Sequence, residues 1–211
     1  MHNDRRQALK RLAGFSLAAA APGLVNAGLL TPRQSAGPFY PAELPLDDDN
    51  DLVHIAGRDQ AAKGQATDLS GRLLDRNGNP LEGVRIEIWQ CDANGRYRHP
   101  RDPGRRSIDP GFQGFGHART DGAGRYRFLT IKPVPYPGRT PHIHVAVYPV
   151  GDRPFVTQLY VAGEQGNSED FLYNRVPVEV RHLVTSNFVR SKLPHSEFQA
   201  DWDIILDLSK A

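Results

Sequence analysis

The sequence predicts an all-β fold: a β-sandwich of mixed short strands with long wrapping loops, preceded by an export signal. Three observations carry that reading. The 20 glycines and 17 prolines punctuate short apolar runs at close intervals, the spacing expected of strands joined by turns. "HIHVAVYPV" alternates apolar and polar character with the period of a strand. No segment sustains a helical period over a useful length, although "PVEVRHLVTSNF" has room for a turn or two.

Residues 1–27 read as a leader. Arg5-Arg6-x-x-Leu9-Lys10 precedes a weakly apolar run from Leu12 to Val25, which ends in the small-x-small pattern Val25-Asn26-Ala27. The run is short for a bilayer and is interrupted by Gly14, Pro22 and Gly23, so it resembles a twin-arginine export signal rather than a membrane anchor. The mature chain is then expected to begin near Gly28 and to work in the periplasm or outside the cell. Residues 28–65 are rich in Pro, Gly and Asp and read as an extended arm; "DDDND" (Asp47 to Asp51) reads as a solvated acidic loop.

The sandwich itself is assigned to residues 66–211. Two strands flank the turn at Asn77-Gly78-Asn79-Pro80, and in the second Val84, Ile86 and Ile88 oppose Arg85, Glu87, Trp89 and Cys91. A turn at Asp92–Gly95 is expected to start another strand, and residues 100–118 read as a loop. "TDGAGRYRFLTIKPVPY" repeats the turn-and-strand theme, and "PFVTQLYVAG" and "ADWDIILDL" each read as one strand more. "DANGRYRH" and "DGAGRYRF" share the frame Asp-x-x-Gly-Arg-Tyr-Arg, which gives Tyr97 and Tyr126 similar local settings.

Charge and cysteine content narrow the function. The net charge is +2, and residues 1–27 carry +3 of it, leaving −1 for the remainder. Nothing in that balance points to nucleic acid. Cys91 is the only cysteine, which excludes an intrachain disulfide and suits a small buried hydrophobe.

The chemistry centres on "YPGRTPHIHV". Residues i and i+2 of a strand share a side, so His142 and His144 point one way and Ile143 and Val145 the other. Such a pair can bring two imidazoles to one metal. No Cys, Asp or Glu lies near enough in sequence to complete a zinc set, whereas Tyr136 sits six residues upstream, held in a corner of Pro133, Pro135 and Pro137. A phenolate forms at neutral pH only beside a strong cation, and hard oxygen donors with imidazoles suit a high-charge iron.

Together, "GPFYP" (Gly37 to Pro41), "WQCDANGRYRH" (Trp89 to His99), the stretch from Thr120 to His144 and "TQLYVAG" (Thr157 to Gly163) resemble the intradiol ring-cleavage dioxygenases, above all the protocatechuate 3,4-dioxygenase type. The resemblance covers roughly residues 31–208. It implies one non-haem Fe(III) per chain, held by Tyr97, Tyr136, His142 and His144, with Tyr136 leaving when substrate binds. It implies cleavage of a catechol-type diol by O2 to a cis,cis-muconate-type diacid. It further implies that Arg139 stabilises charge on the ring, that Gln158 holds Arg139, that Trp89 and Tyr40 line the pocket or its entrance, and that Tyr126 is structural. The long helical N-terminal region usual in catechol 1,2-dioxygenases is lacking. Enzymes of the protocatechuate type usually pair two related chains, so a homo- or hetero-oligomer is compatible, and several catechols stay open as substrate. The alternatives are a non-enzymatic transthyretin-like β-sandwich that binds sugars or partners, which leaves the tyrosines unexplained, and a zinc hydrolase, which lacks a further ligand and a general base.

Overall fold

The computed structural model describes residues 28–45, 47–149 and 153–207. The Arg5-Arg6 leader lies outside them. Among the described residues no helix is long and apolar enough to cross a membrane.

Among the described residues ten strands run in chain order: β1 Ala66–Asp75, β2 Arg85–Trp89, β3 Phe115–Arg119, β4 Arg125–Ile131, β5 His142–Tyr148, β6 Phe155–Val161, β7 Thr185–Ser186, β8 Val189–Arg190, β9 Phe198–Asp201 and β10 Ile204–Leu206. Among the described residues the one α-helix, α1, is Phe171–Arg175, and a 3-10 helix covers Val178–Val184 within "PVEVRHLVTSNF". One sheet is built on β1, which pairs antiparallel with β4 and parallel with β9 and β10; β8 extends it beyond β9. The other has the order β3-β2-β5-β6-β7, antiparallel except for the parallel β6–β7 edge. Both sheets are short-stranded and mixed in the wider molecule, and the all-β sandwich holds.

The core lies between the sheets. Leu69 and Leu73 of β1 and Tyr126 and Phe128 of β4 meet Ile86, Ile88, Ile143, Val145, Val147 and Leu159 of the facing sheet. Gly71 is required there. A Cβ at this position would lie 1.9 Å from the Trp202 carbonyl oxygen, and its absence lets that oxygen accept the Tyr126 hydroxyl at 2.5 Å. Tyr126 is thus a core residue.

Three local expectations are corrected. The strand expected after Asp92–Gly95 is irregular chain, and β3 instead takes up the end of the expected loop 100–118. "ADWDIILDL" divides into β9 and β10 around Trp202, whose indole donates to the Leu183 carbonyl. The acidic loop is internally bonded rather than merely solvated: Asp47 accepts from Ala56 N, Asp51 accepts from Val53 N and His54 N, and Asp48 pairs with Arg85 at 3.6 Å.

Candidate metal and catalytic site

Strand register assembles the site. In an antiparallel sheet directly opposed residues share a face. Trp89 of β2 lies opposite His144 of β5, and His144 lies opposite Gln158 of β6. His142 lies opposite Tyr160. One row of three strands therefore carries Trp89, His144 and Gln158, and the next adds His142 and Tyr160. This face is turned away from the main core. It carries a second apolar cluster of Trp89, Cys91, Tyr97, Phe115 and Ala146, covered by Ala36, Phe39 and Tyr40 of the arm. The arm follows β6, with Gln34 N donating to Val156 O at 2.8 Å. At Gly37 (φ 66) a Cβ would come within 3.1 Å of the His144 ring, so the arm backbone closes directly over that imidazole.

The two tyrosines arrive on turns. Tyr136-Pro137-Gly138-Arg139 is a tight turn in which Arg139 N donates to Tyr136 O at 2.9 Å and Gly138 takes φ 80, the preferred Pro-Gly chemistry of a type II turn. Tyr97 follows the Asp92–Gly95 turn, and its amide donates to the Asp102 carboxylate at 2.7 Å. The four rings then meet. Centroids are 5.4 Å apart for Tyr97–Tyr136, 5.5 Å for Tyr136–His142, 6.2 Å for Tyr97–His144 and 4.8 Å for His142–His144.

The polar atoms at this meeting point are what a cation would complete. His142 Nδ1 sits 2.7 Å from the Thr140 carbonyl, so it carries the proton and leaves Nε2 a bare acceptor. That atom faces His144 Nε2 at 3.3 Å. Both imidazoles are buried, at 1% exposure. Burial first, and Arg139 second, push His142 down to about 3; burial, His142 and Arg139 hold His144 well below the ordinary histidine range. Both rings are therefore neutral, the form that binds metals. The Tyr97 hydroxyl is buried without a well-formed hydrogen bond, with the Tyr136 hydroxyl as its neighbour. Burial raises both phenols, more so Tyr97, while Arg139 opposes the rise at Tyr136. A phenolate here needs a cation beside it. Two neutral imidazoles and two phenols around one point fit a hard, highly charged metal ion.

Arg139 is the fixed charge beside them. Its Nε donates to Asp170 at 2.8 Å, its Nη2 to Gln158 Oε1 at 2.6 Å, and its Nη1 lies 3.4 Å from the Tyr136 hydroxyl. Trp89 stacks on His144 with centroids 5.0 Å apart and planes 6° from parallel. Tyr40 meets Trp89 edge-on at 5.0 Å and donates to the buried Glu87 at 2.9 Å. Trp89 thus supports His144, Gln158 supports Arg139, and Tyr40 supports Trp89 from behind. The two clefts that flank Tyr136 are lined by other residues. One, ≈650 Å³, runs along Arg139, Thr140, Gly166 and Asp170; the other, ≈340 Å³, along Phe39, Tyr97, Pro103 and Arg105. A larger cavity, ≈1250 Å³, opens near Asp48, His117 and Asp203, away from this chemistry. Its charges largely pair with one another, as in Arg72–Asp203 at 2.8 Å and His117–Asp48 at 3.3 Å.

Sequence reasoning missed Asp170, Tyr160 and Phe39. Phe39 stacks on Tyr97 at 4.8 Å. Asp170 precedes a short helix, and an Asp at an N-cap was a legible signal; its reach to Arg139 was not.

A family model described as a dioxygenase matches residues 35–208. The chain is similar to the beta chain of protocatechuate 3,4-dioxygenase of Burkholderia cepacia, at 37% identity over 165 residues, covering 74% of this chain and 70% of that protein. It is similar to catechol 1,2-dioxygenase of Acinetobacter baylyi, at 32% identity over 177 residues, covering 73% of this chain and 52% of the relative. Among solved structures, the dioxygenase domain of a dioxygenase carbohydrate-binding protein fusion from Streptomyces sp. SirexAA-E superposes with a TM-score of 0.65 at 31% identity, covering 84% of this chain and 98% of that one.

Proposed function

The chain belongs to the intradiol ring-cleavage dioxygenase family, and from that premise we propose that it uses one non-haem Fe(III), held by Tyr97, Tyr136, His142 and His144, to open a catechol-type diol with O2. The product is a cis,cis-muconate-type diacid, cut between the two hydroxylated carbons. One observation carries the metal assignment: two neutral imidazoles with Nε2 atoms 3.3 Å apart share a buried space with two phenols, one of which has no well-formed hydrogen bond.

When bound, ferric iron would supply Lewis acidity toward both diol hydroxyls and withdraw electron density so that the ring reacts with O2. The chain's own residues do the rest. His142 is oriented by the Thr140 carbonyl and His144 by the Trp89 face. Tyr136 Oη would accept one diol proton, and Arg139 Nη1, 3.4 Å away, would steady that oxygen. Taking up that proton limits the uncompensated charge in a dry site, where such charge is costly. Arg139 also offers a fixed cation to charge developing on the ring. Residues 36–40 keep bulk water from the imidazoles. Trp89, Gln158 and Tyr40 serve the substrate through His144 and Arg139.

The binding-module alternative gives no reason to gather four polar rings, three of them buried and Tyr136 half-buried, at one point. Oxygen uptake by iron-loaded protein across catechol, protocatechuate, hydroxyquinol and lignin-derived catechols, with product spectra, tests the proposal. We expect one oxygen consumed per ring opened; a protein that takes up iron yet consumes no oxygen with any of them refutes it. The leader supports export by the twin-arginine route on sequence alone.

A further inference from the structure

Asp170 is a buried carboxylate beside the site that the reading above leaves without a role. It is 1% exposed and accepts four hydrogen bonds. Oδ2 takes Arg139 Nε at 2.8 Å and Thr140 N at 2.9 Å. Oδ1 takes Leu172 N and Tyr173 N, both at 2.9 Å, and so caps α1. Burial opposes its ionisation, but the Tyr173 amide, the Arg139 guanidinium and the Thr140 amide together hold the carboxyl below the ordinary range.

The guanidinium is a planar fork, and its edges are committed differently. Asp170 holds the Nε edge and Gln158 Oε1 holds Nη2 at 2.6 Å. Gln158 is itself fixed, its Nε2 donating to the Ser35 carbonyl at 2.8 Å. Nη1 is left toward the Tyr136 hydroxyl. A lone arginine on a turn would sample many rotamers, and ordering it costs side-chain entropy. Two clamps on one plane remove that freedom. Arg139 is also buried, its side chain 7% exposed, so without a carboxylate it would be an uncompensated charge drawn toward solvent.

We propose that Asp170 is a positioning residue for ring cleavage, fixing Arg139 so that Nη1 faces the Tyr136 hydroxyl. The inference rests on the ring-cleavage reading above. It links the segment 163–175, which carries no ligand, to the point where Tyr136 exchanges for substrate. A carboxylate is needed rather than an amide, because four N–H donors converge on it and an amide brings donors of its own.

The rival explanation is that Asp170 only caps α1. Asp170→Ser separates the two, since serine retains an N-cap acceptor but cannot also reach Arg139 and Thr140 N. The test is a double-mutant cycle of Asp170→Ser and Arg139→Met, with kcat, KM and Tm for each protein. We expect Asp170→Ser to lower kcat roughly tenfold to a hundredfold, the usual cost of losing an orienting partner, with KM little changed. The double variant should fall no further than Arg139→Met alone. A crystal structure of Asp170→Ser should show Nη1 moved away from Tyr136. Full kcat in Asp170→Ser, multiplicative losses in the cycle, or an unmoved guanidinium overturns the proposal. Should Asp170→Ser not accumulate as folded protein, Asp170→Asn in the same cycle decides it. A wild-type protein inactive on every catechol would refute the ring-cleavage reading instead, so the two failures are distinguishable.

Discussion

Tyr97 carries a hydroxyl that the metal-free chain gains little by burying. A buried hydroxyl left poorly satisfied costs up to about 1–3 kcal/mol, and that of Tyr97 has no well-formed hydrogen bond, only the Tyr136 hydroxyl as its neighbour. Tyr97→Phe removes the oxygen and keeps the ring stacked on Phe39. We therefore expect the metal-free variant to be at least as stable as wild type by thermal unfolding, while the iron-loaded variant loses or strongly shifts its visible phenolate charge-transfer band. A destabilised metal-free variant with an unchanged band would remove Tyr97 from the ligand set. His142→Ala takes away a bare Nε2 acceptor already oriented by Thr140. Iron analysis after its purification should find the metal largely absent; full occupancy would contradict the assignment.

At the scale of elements, one sequence frame is used twice with different outcomes. Asp92 and Asp121 build the same turn: Oδ1 of each accepts from the amides two and four residues on, and Gly95 and Gly124 have φ of 73 and 72. After Asp121 the chain enters β4. After Asp92 the Asp102 carboxylate captures Tyr97 N and Arg96 Nε, taking a donor that a ladder would need, and the strand does not form. That capture comes from tertiary structure, so the frame alone could not reveal it. β3 was hidden for another reason. Gly116 replaces a strand-forming side chain because a Cβ there would lie 2.3 Å from the Asp49 carbonyl, and His117, Ala118 and Arg119 show no alternation. By contrast, H-x-H was legible because the strand period dictates its geometry, and parity put Trp89 on the site face. Tyr97 became a candidate only through resemblance, since nothing local distinguishes it from Tyr126. The Pro-Gly turn is testable here. Gly138 has open space around it, so Gly138→Ala should cost only backbone strain, about 1 kcal/mol. Thermal unfolding should fall by roughly 2–4 °C; an unchanged Tm would show that the turn relaxes freely.

Across the whole molecule, the arm bears on how the site works and the proposed leader on where. The arm closes over His144, so the proposed iron is best inserted as the chain folds, which suits the proposed twin-arginine route, a route that carries folded proteins. Arg5→Lys with Arg6→Lys should retain precursor in the cytoplasm, read by fractionation; normal export would remove that route. The buried histidines also give the metal-free protein a definite acid response. In the unfolded chain imidazoles take up protons near pH 6.5, whereas folded His142 resists until about 3 and His144 is likewise depressed. Between those values the unfolded state binds more protons, so stability must fall as pH falls, by up to about 1.4 kcal/mol per pH unit for each ring. Asp68, Asp102 and Asp170, held below the ordinary carboxylate range, lose their contribution only below about pH 4 and leave the upper part of the window to the histidines. Asp201, raised by burial and by Asp203, acts in the opposite sense at the acid end. We therefore expect the Tm of metal-free protein to drop steadily from pH 7 to pH 5, and His142→Phe to show a shallower slope. A flat profile in the wild type would mean that these imidazoles meet water or protons in the metal-free state, and the dry, neutral pair on which the metal site depends would have to be abandoned.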